Sequence, residues 1–274
     1  IADASVSGSG TGFLTKDSST GFHRPLATAE LATSLTSSPT TNFGNFSAVQ
    51  GYSVATSVNS LTINTANGIT VSGAGQSGQR FAATGVLDAL TVNTGGILAT
   101  SSATLSVGSL TTSANTQYDI HVVGGATTLA INGFLTGTTG GLVKADAGQL
   151  NLNNTAYYTG TTTVNGGTMK LNSGAANTLA LAVTNLAATA QVLVVNGGTL
   201  NLSGFDQSVT TLSSANSIGG SAGTVTSTGA ANFTSNTGTG TTFAGALNGA
   251  LNFYKAGAST LTLTGASAYT GTTN

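Results

Sequence analysis

The chain has 274 residues, of which 39% are apolar and 5% charged, with a formal net charge of −1 and no cysteine. An ordinary soluble domain carries about 25% charged residues. Six Lys and Arg in all exclude the basic stripe that nucleic-acid binding requires. The missing cysteines exclude a disulfide framework and a zinc knuckle, and no apolar run is long enough to span a bilayer.

What remains is largely Gly, Ser, Thr, Asn and Ala. That mixture favours short strands joined by tight turns, because Gly and Asn accept positive φ and Thr suits a pleated surface. The chain opens on Ile1 with no basic-then-apolar leader, which reads as a mature or excised segment. Residues 1–20 are rich in Ser, Gly and Thr, with Val6, Phe13 and Leu14 as large apolar anchors, and read as a linker or an isolated strand. Pro25 then stands at a first helical position, with Leu31 and Leu35 four apart and Pro39 beyond. This predicts a short capping helix near 25–36. The expected organisation is an N-terminal extension and cap over 1–49 and a repetitive unit over 50–274.

From about residue 50 the apolar pattern has period two. Apolar-x-apolar pairs recur at Leu61/Ile63, Ile69/Val71, Leu90/Val92, Leu105/Val107, Ile120/Val122, Leu129/Ile131, Leu150/Leu152, Met169/Leu171, Val192/Val194, Leu200/Leu202 and Leu261/Leu263. Gly-Gly turns return at 95–96, 124–125, 166–167 and 197–198. Turns of one type are expected where each coil stacks on the last, and a three-strand coil at this spacing takes about 20–30 residues, or roughly eight to eleven coils in all. Leu, Ile and Val would point inward, with Thr, Ser and Asn laddering up the outside. Residues 76–90 fit poorly and are expected to loop out.

The strongest signal is internal. Residues 141–163 return at 250–274 with Lys144 matching Lys255, Leu150 Leu261, Leu152 Leu263, Tyr158 Tyr269 and Gly160 Gly271, all at an offset of 111. The acids are scattered: Asp3, Asp17, Glu30, Asp88, Asp119, Asp146 and Asp206. Glycoside hydrolysis needs two carboxylates about 5–10 Å apart. Asp88, Asp119 and Asp146 lie roughly a coil apart each, yet no acids cluster in sequence, and solvated carboxylates are the simpler reading. Asp119 and His121 share a strand face, but a metal would need further ligands and only His23 remains. Tyr157, Tyr158 and Tyr269 have rings able to stack on sugars. Their matched places in the two copies favour a role in covering a coil corner. No catalytic residue, metal or cofactor is expected.

Asn196–Leu212, Thr242–Leu247 and Lys255–Gly271, with a partial match over 129–171, closely resemble the autotransporter-associated β-strand repeat, also called the passenger-associated transport repeat. The resemblance implies an all-β, right-handed parallel β-helix, or β-solenoid. It further implies secretion or display on the surface of Gram-negative-type bacteria, and a part in adhesion, aggregation or an extracellular matrix. Taken with the incomplete second copy, the expected role is a structural subunit that self-associates head-to-tail into a fibre or surface layer. Val6, Phe13, Leu14, Leu261, Leu263, Tyr269 and Gly271 would form the contact. The alternatives are a piece of a monomeric passenger adhesin and a polysaccharide-active β-helix enzyme. Expected partners are other copies of the chain, with surface glycans as a further candidate, and neither nucleic acid nor membrane insertion of this segment.

Overall fold

The structure, a computed structural model, describes residues 12–16, 23–33, 38–44, 50–52, 56–64, 71–73, 89–137, 139–180, 182–184, 187–189 and 191–274. Parallel strands wind into a β-solenoid of about eight turns, with three faces per turn. The second face stacks Gly96–Ala99, Tyr118–Val122, Leu142–Ala145, Thr162–Val164, Val192–Val195 and Thr211–Ser213, all parallel. The third stacks Ala103–Leu105, Thr128–Ile131, Gln149–Leu152, Thr168–Leu171 and Thr199–Asn201, and continues into the strands Thr224–Asn236 and Ala246–Ala256. The first face carries Ala89–Val92, Ser109–Thr111 and Phe134–Leu135, then bridges at Ala156 and Leu179.

The apolar pairs build this shape because alternate strand residues face one side. Leu90 and Val92, Ile120 and Val122, Leu129 and Ile131, and Leu150 and Leu152 are all fully buried, and Leu129 and Ile131 stack on Leu150 and Leu152 of the next coil. The ladder extends back past residue 50: Phe43 pairs with Leu61 and Ala32 bridges Phe43. The Gly-Gly turn at 95–96 is required sterically. Gly95 has φ +69°, and a Cβ there would lie 1.8 Å from the carbonyl oxygen of Gln117 in the next coil.

Two expectations are corrected. The helix near 25–36 is absent from the described part of that stretch. Pro25 ends a strand, His23–Pro25, that pairs antiparallel with Leu14–Lys16, and only Thr28–Glu30 makes a 3-10 turn. Glu30 reaches back to the Ala27 N–H at 2.7 Å and takes Arg24 in two hydrogen bonds of 2.6 and 2.8 Å, closing the turn early. The second correction is the register at Val192–Val195. Leu193 and Val195 are buried, whereas Val192 is 38% exposed. A run of four apolar residues has no alternation to choose a face. Buried Gln191 chooses it, by donating to the Tyr158 carbonyl at 2.5 Å and accepting from Thr162 Oγ1 at 2.7 Å, which sends 191, 193 and 195 inward. Of the stretch expected to loop out, 76–88 lie outside the described residues.

Turn length varies while the faces persist. Leu142 pairs with Thr162, twenty residues on, and Thr162 with Leu193, thirty-one on. The longer turn holds an antiparallel hairpin, Ala182–Thr184 with Ala187–Thr189. Among the described residues no helix is long and apolar enough to cross a membrane.

Candidate functional surface

In the first copy of the internal repeat, Lys144, Leu150, Leu152 and Tyr158 are buried, whereas in the second Lys255, Leu261 and Tyr269 are part-exposed. Lys144 is fully buried. Its Nζ donates to the carbonyls of Ala145 at 2.7 Å, Asp146 at 2.9 Å and, from the next coil, Gly166 at 3.1 Å. Lys255 repeats the local part, donating to Ala256 at 2.5 Å and Gly257 at 3.0 Å. In both copies the second residue after the lysine is left-handed, Asp146 with φ 66° and Gly257 with φ 77°. An ammonium has three protons and no acceptor capacity, so it suits a corner where carbonyls converge. Burial pushes the Lys144 ammonium down to about 8, with the nearby Asp146 opposing.

The tyrosines behave alike. The Tyr158 hydroxyl bonds Thr162 Oγ1 at 2.7 Å, and the Tyr269 hydroxyl bonds Thr273 Oγ1. Thr162 gives its one proton to Gln191, so Tyr158 is the donor, and the Gln191 amide returns to the Tyr158 carbonyl. Burial raises the Tyr158 and Tyr118 phenols well above the ordinary tyrosine range. Gly160 and Gly271 sit where a Cβ would fall 2.5 Å from Gly141 N and 2.4 Å from the Leu251 carbonyl oxygen, respectively.

The two copies nevertheless lie on different faces. Leu150 and Leu152 belong to the third face, stacked on Met169 and Leu171. Leu261 and Leu263 pair with Thr241 and Phe243 on the second. The unit is therefore a corner with its two flanking strands, and the solenoid can place it at different corners.

The candidate chemistry resolves into local pairs. His121 Nδ1 lies 2.7 Å from Asp146 Oδ2, joining adjacent coils beside the Lys144 corner. Asp119 accepts instead from Gln117 at 2.6 Å, and Asp88 lies outside the described residues. Among the described residues no three His, Asp or Glu come together as a metal site.

Of the contact residues expected from sequence, Val6 lies outside the described residues. Phe13 and Leu14 belong to the N-terminal hairpin, which packs beside the first coils. There Phe13, Leu14 and Leu26 face Asn42, Asn59 and Thr94 across a hollow of ≈ 330 Å³. Leu261 and Tyr269 pack on the last part of the core while Leu263 and Gly271 are exposed. One molecule does not bring these two sets together.

Sequence reasoning expected an outward asparagine ladder but missed the ring pair beside it. Tyr157 is 52% exposed, and its ring meets that of Phe134 on the neighbouring coil, with centroids 5.7 Å apart and planes at 42°. Beside them runs an amide ladder. Asn172 Nδ2 donates to Asn153 Oδ1 at 3.0 Å, and Asn153 Nδ2 to Asn132 Oδ1 at 2.8 Å. The signal was present: each of these asparagines directly follows an apolar pair, at Ile131, Leu152 and Leu171.

A family model described as passenger-associated-transport-repeat matches residues 142–171 and 253–274, the two segments whose corners superpose in chemistry. Over these two segments the chain is similar to the passenger-associated transport repeat. Among curated proteins, the adhesin BmaC autotransporter of Brucella suis biovar 1 (strain 1330) is 38% identical over 158 residues. The match covers 56% of this chain and 4% of that protein, so the chain spans a small fraction of its relative. No solved structure matches. Within the repeats, the Lys, Tyr and Gly that make the match serve the scaffold.

Proposed function

We propose that the chain is a stretch of the passenger domain of a bacterial surface adhesin, carried outside the cell and acting by binding rather than by catalysis. The observation that carries this reading is the coincidence of the two matched repeat segments with corners whose lysine and tyrosine bond the chain's own backbone and threonines, in a solenoid similar to part of an autotransporter adhesin. A rigid rod whose outer residues are free of the packing problem suits the presentation of a binding surface away from the cell. The scattered acids, held in separate local hydrogen bonds, support a non-catalytic role. The test is binding of the purified, fluorescently labelled chain to animal and bacterial cells by flow cytometry. Saturable binding competed by unlabelled chain is expected. Binding that never saturates, or none to any cell type, overturns the reading.

A further inference from the structure

We propose that Phe134, Tyr157 and the asparagine ladder at 132, 153 and 172 form a binding strip for a neutral polysaccharide, a site that rests on the adhesin reading and gives it a ligand class. Three observations converge on this strip. The first is a rigid aromatic platform. Tyr157 N donates to the Leu135 carbonyl at 2.7 Å and Leu135 N to the Thr155 carbonyl at 3.3 Å, so the backbones bearing both rings are tied together. A half-exposed Tyr157 ring against a part-buried Phe134 presents an apolar surface too small for a protein interface, which buries about 800 Å² on each partner. It matches the apolar C–H face of one or two sugar rings.

The second observation is the amide inventory. A side-chain amide has two N–H donors and two acceptor lone pairs. Along the ladder each Nδ2 spends one proton: Asn132 on Ser106 Oγ at 3.1 Å, Asn153 on Asn132 and Asn172 on Asn153. One N–H of each remains. Asn154 is fixed beside them, donating to the Asn132 carbonyl at 3.2 Å and accepting from Thr155 N at 2.9 Å. The ladder thus offers a fresh donor and a spare lone pair once per coil, at a rise of about 4.8 Å. An extended sugar chain lying along the axis meets an amide at each step. Hydroxyls both donate and accept, as these amides do.

The third is charge. No ionisable acid or base other than tyrosine occurs over 122–143 or 147–169, the stretches that carry the rings and most of the ladder. The nearest cation is Lys170, two residues before Asn172 and in register with Asn151, so a sulfated, phosphorylated or uronate chain, or a nucleic acid, would set its row of anions against a single lysine. A neutral polyhydroxylated chain leaves nothing unpaired.

The test uses the whole chain on an array of neutral oligo- and polysaccharides, with heparin as the anionic comparator. Cell binding is measured in parallel, before and after mild periodate oxidation of the cells. Binding to at least one class of neutral glycan, and none to heparin, is expected. Tyr157→Ala should weaken it at least tenfold, Tyr157→Phe should stay within about twofold, and Asn153→Ala should weaken it severalfold, with melting temperatures confirming that each variant folds. A blank array, preference for heparin, or full binding by Tyr157→Ala overturns the site. Cell binding that survives periodate and Tyr157→Ala identifies a non-glycan ligand and removes this proposal while leaving the adhesin reading standing. Absence of any cell binding removes the adhesin reading, and the array then decides the strip independently.

Discussion

The corner at Lys144 and the corner at Lys255 are built from the same residues and stand in different surroundings. At the first, the ammonium is fully buried and bonded to three carbonyls, one of them from the next coil. At the second, the two local carbonyls are engaged and the side chain is part-exposed. The difference separates what the unit does alone from what stacking adds. The local lysine-to-carbonyl turn and the Tyr-to-Thr bond form in both. Burial of the charge, the third acceptor and the Tyr158–Thr162–Gln191 network come with a covering coil.

That comparison breaks most sharply on substitution of the lysines. Lys144→Ala strands three carbonyls in the interior and is expected to cost about 3 kcal/mol, since buried polar groups left unsatisfied cost about 1–3 kcal/mol each and partial relaxation recovers some of it. Lys255→Ala should cost about 1 kcal/mol or less, because water can reach its acceptors. Urea midpoints of the two variants test the ranking, and equal losses would show that stacking adds nothing to the corner.

The pH dependence of stability is the next largest effect. Lys144 binds its proton less tightly folded, at about 8, than at its ordinary 10.5. Between those values the unfolded chain holds more protons, so stability rises with pH through that window. From pH 8 to 10 this lysine contributes an increase of about 2 kcal/mol. Above pH 10 the sign reverses, because Tyr118 and Tyr158 stay neutral in the fold while the unfolded phenols ionise. Urea melts from pH 7 to 11 should show the rise and the fall, and Lys144→Met should abolish the rise alone. A smaller contrast concerns the tyrosines. Tyr158→Phe removes the donor to Thr162 and should cost about 1 kcal/mol, whereas Tyr269→Phe, at an exposed hydroxyl, should cost about half of that. The smallest effect is Asn153→Ala, about 0.5 kcal/mol, because the two side-chain hydrogen bonds it breaks, to Asn132 and from Asn172, both face solvent. It should leave the melting temperature nearly unchanged even as it weakens glycan binding.

Much of the scaffold and the outer asparagine ladder were legible, and the exposed ring pair was not. The apolar pairs at 120–122, 129–131 and 150–152 read correctly because alternation reports burial directly. Val192 to Val195 misled because all four residues are apolar, and the deciding residue, Gln191, is polar and buried by partners 29 and 33 positions away. The N-terminal helix misled because Leu31 and Leu35 satisfy a helical spacing, while the hairpin that draws Pro25 into a strand is a tertiary pairing. Tyr157 and Tyr158 are neighbours in sequence and opposites in the fold. One plugs the corner and the other meets Phe134, 23 residues away, on the outside.

The internal repeat is visible at a constant offset because its Lys and Tyr answer to forces within a few residues, carbonyls at the next two positions and a hydroxyl four residues on, and its Gly to the backbone of the preceding coil. By itself, therefore, the amino-acid order determined that the chain forms coils, which side of most strands is buried, and that one corner is used twice. Only the tertiary structure decided which face each corner occupies. Turns of twenty and thirty-one residues close onto the same three faces, and the insertions between them set the phase. The same winding laid Asn132, Asn153 and Asn172 in one line beside two aromatic rings, because neighbours along a solenoid axis are set by the length of each turn and not by proximity in the chain.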